Sequence, residues 1–407
     1  MSLSLPHART ILKKTAVLGR QGGSPSFKGI KPNTRDNRHL KFLFLGCEEG
    51  CEYGPYDHTA TLFLDLICCA LESLSIKKNV DPDGGNSTSE TQFTVSITVY
   101  RASQGDMPGA TFDWDRFDGF ILPGSYDAAY DEKNRPWIKE LRELIQKELV
   151  AKCRPTLGVC FGHQILAHSY QNHGSGTANV DSGGRAAKCP AGKQVGRKTF
   201  QLTNVGRMIL HALGPSSDQN VEQFTKKRKY ACDDDKDKAQ GYCGNEGNNE
   251  MDDTSRSDTT RSVDLYYTHG DMVERLPKHA VSIGGNDNVP IQAAAYFATE
   301  QDAMEFTTMA DHTTDSVDIA RNIIEAKVKP FAITFQAHPE YASSQSLGLE
   351  RTLGNIIAGM ESRKDITRAQ KEFVQRDAKL HYESVEQQSI QLMVSVGQWL
   401  GWFPLMP

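Results

Sequence analysis

The chain has 407 residues, a net charge of −5 and a mean hydropathy of −0.51. No apolar run approaches the roughly 20 residues that span a bilayer, so a soluble chain without a membrane helix is expected. The acidic balance gives no general footing for nucleic acid or an anionic membrane surface.

The nine cysteines are odd in number, scattered, and preceded by no signal-peptide core. They fit free thiols in a reducing compartment, and a cytoplasmic location is expected. Cys47 and Cys51 have loose ligand-like spacing, but no second pair completes a zinc set, so neither metal nor cofactor is expected. Residues 1–38 are basic, with Arg9, Lys13, Lys14, Arg20, Lys28, Lys31, Arg35 and Arg38 against Asp36 alone. They read as a disordered arm, or as a mitochondrial or plastid transit peptide.

Beyond the arm, strands alternate with helices. Lys41–Cys47 (KFLFLGC) is a nearly continuous apolar run, as a buried parallel strand requires. Asp57 is placed to cap a helix carrying Leu62, Leu66, Cys69 and Ala70 at helical spacing. In TQFTVSITVY, Phe93, Val95, Ile97 and Val99 alternate with polar residues, which predicts a strand. Phe117–Gly124 (FDGFILPG) is a third strand ending in a loop. PWIKELRELIQKELV is an amphipathic helix that tolerates Pro136 in its first turn. TLGVC then reads as a strand and FGHQILAHSYQN as a helix.

The middle of the chain is richer in strands: KQVGRKTFQLT, SVDLYYTH, AVSIGG and IQAAAYF. Within it, about 215–260 holds KKRKY, DDDKDK and GNEGNNEMDDTSRSDTT, and almost nothing there could enter a core. It reads as a disordered insert. Lys226–Lys229 is either a nuclear localisation patch or a solvated charge run. PFAITFQAHPE is the last clear strand, and Ser343–Trp402 reads as helical. The pattern predicts an α/β, doubly wound, mostly parallel sheet flanked by helices. The domain is expected over 39–363, with a C-terminal helical extension over 364–407.

The chemistry is concentrated at two strand ends. Cys160 lies between Gly158 and Gly162 where a strand passes into a helix. A helix N-terminus offers unpaired N–H groups and partial positive charge, which favour a thiolate. The flanking glycines suit the sharp turn of a nucleophile elbow. A cysteine nucleophile needs a base, and the base an orienting group. FQAHPEY supplies both: His338 and Glu340 are two residues apart and share a face of an extended chain, and Pro339 biases His338 toward that conformation.

GVCFGHQ with a downstream HPE resembles the class I glutamine amidotransferases, over roughly Phe42 to Gly359. The resemblance implies a flavodoxin-like sheet and a Cys–His–Glu triad of Cys160, His338 and Glu340. It also implies that Gln164 contacts the backbone part of a glutamine-like substrate. Ile121–Ser125 resembles the family's oxyanion loop, where the N–H of Gly124 or Ser125 would act with that of Phe161. The family usually shows two consecutive glycines where this chain has Gly124–Ser125. Thr268–Pro277 resembles the family's His-Gly-Asp loop, with His269 a positioning residue.

The opening FLFLGCEEGCEYGPYDH and the loop DGFILPGSYDAAYDE are similar to the stand-alone group that includes plant γ-glutamyl peptidases. The implied reaction is hydrolysis of a γ-glutamyl amide or peptide through a Cys160 thioester, on a small substrate such as glutamine, glutathione or a conjugate. Two other readings are a glutaminase subunit feeding ammonia to a separate synthase partner and a non-catalytic binding protein on the same fold. An intracellular cysteine peptidase is weaker, because that group commonly has histidine where this chain has Phe161.

Overall fold

The computed structural model describes residues 10–20, 38–48, 54–76, 89–170, 183–211, 262–313 and 327–404. The insert at about 215–260, the Lys226–Lys229 patch and Cys51 lie outside the described residues.

The described strands are β1 (Ile11–Arg20), β2 (Arg38–Leu45), β3 (Ser89–Tyr100), β4 (Gly119–Leu122), β5 (Thr156–Val159), β6 (Arg185–Lys188), β7 (Gln194–Leu202), β8 (Ser262–His269), β9 (Asp271–Arg275), β10 (Ala280–Gly285), β11 (Ala293–Tyr296) and β12 (Ala332–Phe335). Ten of them form one sheet in the order β1-β3-β2-β4-β5-β12-β11-β10-β7-β8. The five strands from β3 to β12 pair in parallel. Taken by appearance, they run second, first, third, fourth, fifth, the flavodoxin-like doubly wound order. Antiparallel strands extend this core on both sides, β1 at one edge and β11, β10, β7 and β8 at the other.

Alternation along the parallel strands decides the layers. Phe42 and Phe44 of β2 face one hydrophobic cluster, Leu43 and Leu45 the other. The first cluster is closed by helix α1 (Tyr56–Ile76), through Phe63 and Ile67, and by helix Tyr382–Trp399. The second is closed by α2 (Pro136–Leu144) and α3 (Phe161–His168), through Trp137, Leu141, Phe161 and Ile165. Pro136 opens α2, where its missing N–H has no helical partner to lose. Asp57 lies within the first turn of α1 instead of capping it, and its carboxylate accepts a hydrogen bond from Thr10 at 3.1 Å. No helix among the described residues is long and apolar enough to cross a membrane.

Three expectations are corrected. Residues 11–20 are not a disordered arm but an edge strand, paired antiparallel with β3. Ala16 is buried in the core, and Lys14 reaches out to Asp65 at 2.8 Å. A basic composition hides such a strand, since outward lysines are what an edge tolerates.

The His-Gly-Asp segment is no loop: β9 runs through it and pairs with β6 as a second, two-stranded sheet.

The helices after residue 363 are no extension. Trp399, Trp402 and Phe403 are fully buried, Trp402 packs edge-on against Phe42 of β2 at 4.8 Å, and its indole donates to the Asp118 carbonyl. Burying one such side chain contributes about 1.5–3 kcal/mol, so a boundary at 363 would cut through the core.

Candidate active site

The turn from β5 into α3 is tight because its backbone has no room for side chains. A Cβ on Gly162 would stand 2.0 Å from the Leu122 carbonyl oxygen, and one on Gly158 would stand 2.9 Å from that of Gly162. The Gly162 N–H donates to the Pro123 carbonyl, which ties the turn to the end of β4. Cys160, between them, is driven to φ 51° and ψ −105°, a conformation that costs an L-residue energy. Its own N–H is taken by the Phe335 carbonyl of β12 at 2.7 Å. The side chain is thereby presented at the carboxyl edge of the sheet, 5% exposed.

His338 and Glu340 follow β12 and arrive beside it. The His338 N–H donates to the Tyr266 carbonyl of β8, and the ring Nδ1 pairs with Glu340 Oε1 at 2.7 Å. The Tyr341 ring lies parallel to the imidazole, 6° from its plane and 4.2 Å between centroids, which fixes its orientation. The other nitrogen, Nε2, is buried without a complete hydrogen bond. It faces the thiol, and a Cβ on Gly124 would stand 2.9 Å from His338 Cε1 and 3.6 Å from Cys160 Cβ. Burial pulls the imidazole's pKa down, but the Glu340 carboxylate and the Cys160 sulfur outweigh it and hold the ring above its ordinary range. The arrangement can carry a proton between thiol and imidazole.

The other expected residues surround this group. Gly124 lies against both the His338 ring and Cys160. The Ser125 hydroxyl accepts from the Asp127 N–H at 3.2 Å and so holds its own loop. Phe161 opens α3, so its N–H has no carbonyl one turn earlier in the helix. Gln164 is buried, and its amide nitrogen donates to the Asp271 carbonyl at 3.0 Å and to Gln336 Oε1 at 3.2 Å. The same Asp271 carbonyl accepts from His269 Nδ1 at 2.8 Å. Burial lowers the His269 pKa to about 3, so the ring stays neutral.

Sequence reasoning missed Glu48. It follows β2 at the topological switch of the sheet, where ligands bind in open α/β folds. Its carboxylate accepts from the Thr59 hydroxyl at 2.9 Å and is 6% exposed. Burial raises it to about 8, with Thr59 and His338 pulling it down and Glu340 pushing it up. An acidic pair in CEE carries no spacing signal, so only the fold reveals this neighbour of the triad. Among the described residues, no group of three or more His, Cys, Asp or Glu is arranged to hold a metal ion.

Over 198 residues the chain is 24% identical to gamma-glutamyl peptidase 5 of Arabidopsis thaliana, covering 49% of this chain and 56% of that protein. It is 38% identical over 68 residues to gamma-glutamyl peptidase 3 of the same plant, covering 17% and 26%. The chain thus spans about half the length of the first relative and a quarter of the second. A solved glutamine amidotransferase from Thermotoga maritima superposes with a TM-score of 0.44 and 14% identity, over 88% of this chain and 99% of that one. The family model for class-I glutamine amidotransferases matches residues 88–348, well over half the chain. The chain therefore belongs to the class-I glutamine amidotransferase family.

Proposed function

We propose that the protein hydrolyses γ-glutamyl amide or peptide bonds, with Cys160 as nucleophile, His338 as general base and acid, and Glu340 as the carboxylate that orients it. The observation that carries this reading is the strained Cys160 at the end of β5, set across Gly124 from an imidazole paired to Glu340 at 2.7 Å. Two strand ends bring a strained cysteine and a carboxylate-paired imidazole to one point, and that juxtaposition supports these roles.

With the proton of the pair already on His338 Nε2, the Cys160 Sγ attacks the γ-carbonyl carbon. The oxyanion falls to the Phe161 N–H and to that of Gly124 or Ser125. The C–N bond breaks, and His338 delivers its proton to the departing nitrogen, leaving a γ-glutamyl thioester. Water then attacks, His338 takes its proton, and the C–S bond breaks to release glutamate and regenerate the Cys160–His338 pair with its proton on Nε2. Gln164, through its amide oxygen, and His269, through Nε2, meet the α-groups of the glutamyl part. The similarity to gamma-glutamyl peptidases supports the choice of a γ-linked substrate, at low identity.

The test is turnover by purified protein of glutamine, γ-glutamyl dipeptides and glutathione beside α-glutamyl dipeptides. The reading expects cleavage of γ-linked compounds only, lost in Cys160→Ser. Equal cleavage of α-linked compounds contradicts it and points to a general peptidase.

A further inference from the structure

Near Cys160, His338 and Glu340 runs a circuit of side chains that joins two of the quoted stretches to residues outside every motif. Tyr126, two residues past Gly124, carries the Arg363 guanidinium on its ring face, 5.2 Å from the centroid. Arg363 Nε donates to Asp365 Oδ2 at 3.3 Å, and Lys193 donates to the same oxygen. The Lys193 stem lies against Gly270, whose Cβ would stand 3.5 Å from Lys193 Cγ. Asp271, the next residue, accepts from the Tyr130 hydroxyl at 2.7 Å. Tyr130 belongs to the same loop as Tyr126, which closes the circuit.

The circuit is the outer rim of the site. Tyr126 and Tyr130 are 42% and 41% exposed, whereas Cys160, His338, Gln164 and His269 beneath them are 2–5% exposed. Gln164 and His269 both bond to the carbonyl of the rim residue Asp271. Arg363 and Asp365 lie beyond residue 348, where the family match ends. Lys364 between them has φ 62°, and its N–H and that of Asp365 donate to the Glu361 and Met360 carbonyls, which ends helix Gly354–Ser362 there.

We infer that this rim is the leaving-group subsite, and that Arg363, laid flat on Tyr126 and braced by Asp365, pairs with a carboxylate on the departing amine. The site then prefers γ-glutamyl amides of amino acids and peptides over glutamine and over amides of uncharged amines. A guanidinium presents five donors in a rigid fork that matches a carboxylate, and stacking on an aromatic face fixes its plane in advance. Lys193, on the far side of Asp365, adds a second positive charge. Asp365 itself stays ionised, because Lys193 and then Arg363 hold its pKa below the usual carboxylate range against slight burial. The side of the rim nearer Tyr130 is acidic, through Asp271, so the subsite is polarised and a charged leaving group has one favoured orientation.

The inference rests on the γ-glutamyl reading above, and one experiment separates the two. Wild type, Arg363→Ala and Arg363→Lys are assayed on γ-glutamylglycine and on γ-glutamylglycinamide, which differ only in the carboxylate. Wild type is expected to favour the carboxylate compound in kcat/KM. A half-exposed charge pair predicts that this ratio falls by roughly two- to fivefold in Arg363→Ala, mainly through KM, with Arg363→Lys between the two. Raising the ionic strength should shrink the wild-type ratio, an arm that needs no variant to fold. A wild-type ratio near one, or an unchanged ratio in Arg363→Ala, overturns the subsite while leaving the γ-glutamyl reading standing. Failure of wild type to cleave either compound overturns the subsite, and failure on glutamine and glutathione as well overturns the γ-glutamyl reading with it.

Discussion

The elbow and the rim of this site are built in opposite ways. The elbow is one contiguous stretch, Thr156–Gln164, locked by backbone contacts with Leu122, Pro123 and Phe335. The rim draws Tyr126, Tyr130, Lys193, Asp271, Arg363 and Asp365 from distant parts of the chain and joins them through half-exposed side chains. Chemistry demands a geometry fixed to fractions of an ångström, and backbone crowding supplies it. Discrimination among leaving groups needs only charges and faces in the right place. Damage to the elbow should therefore be severe and general, and damage to the rim mild and selective.

The sharpest way to break the comparison is Gly162→Ala. The added methyl meets a main-chain oxygen that cannot swing aside, so the turn or the β4 end must move. A stability loss of at least about 1–3 kcal/mol is expected, with activity near background on every substrate. Thermal unfolding and turnover read both. A stable, active variant would mean that the turn is not locked.

Next are His338, the proposed base, and Glu340, the proposed orienting carboxylate. His338→Ala should lower kcat/KM on the order of a thousandfold, as loss of a general base does. Glu340→Gln should do less damage, because an amide can still hold the ring. Equal and negligible losses would place the base elsewhere.

Glu48 tests the ground between elbow and rim. Its buried carboxyl is raised to about 8, so the folded protein holds a proton there that the unfolded chain gives up near its ordinary value. The folded state thus binds more protons between those values, and this contribution to stability is lost as pH rises toward 8. The slope reaches at most about 1.4 kcal/mol per pH unit. In Glu48→Gln the wild-type decline in melting temperature between pH 5 and 8 should flatten. A decline of unchanged slope would show that Glu48 is already ionised across that range.

The smallest effect is reserved for Tyr130→Phe. It removes a half-exposed hydroxyl that donates to Asp271. A stability change of about 0.5–1.5 kcal/mol is expected, with a shift in preference among leaving groups. Uniform loss across all substrates would place Tyr130 with the elbow instead.

What was legible in the sequence follows the same divide. β2, β4, β5 and β12 are short apolar runs buried on both faces, and such strands announce themselves. Cys160, His338 and Glu340 stand in local patterns whose spacing is itself the geometry. β1 was hidden because an edge strand with outward lysines resembles a basic tail. Helix Tyr382–Trp399 was read as an appendage because interleaved polar residues mask how many of its positions are buried. Glu48 comes beside His338 and Glu340, and Arg363 comes onto Tyr126, only through tertiary contacts, and no window of sequence contains those.

The most direct test of the central claim is mass spectrometry of enzyme quenched in acid during turnover of a γ-glutamyl amide, followed by peptide mapping. The account predicts one γ-glutamyl group on the Cys160 peptide, absent in Cys160→Ser and more abundant when the attack of water is slowed. An adduct on another cysteine, or full turnover by Cys160→Ser with no adduct, would contradict it.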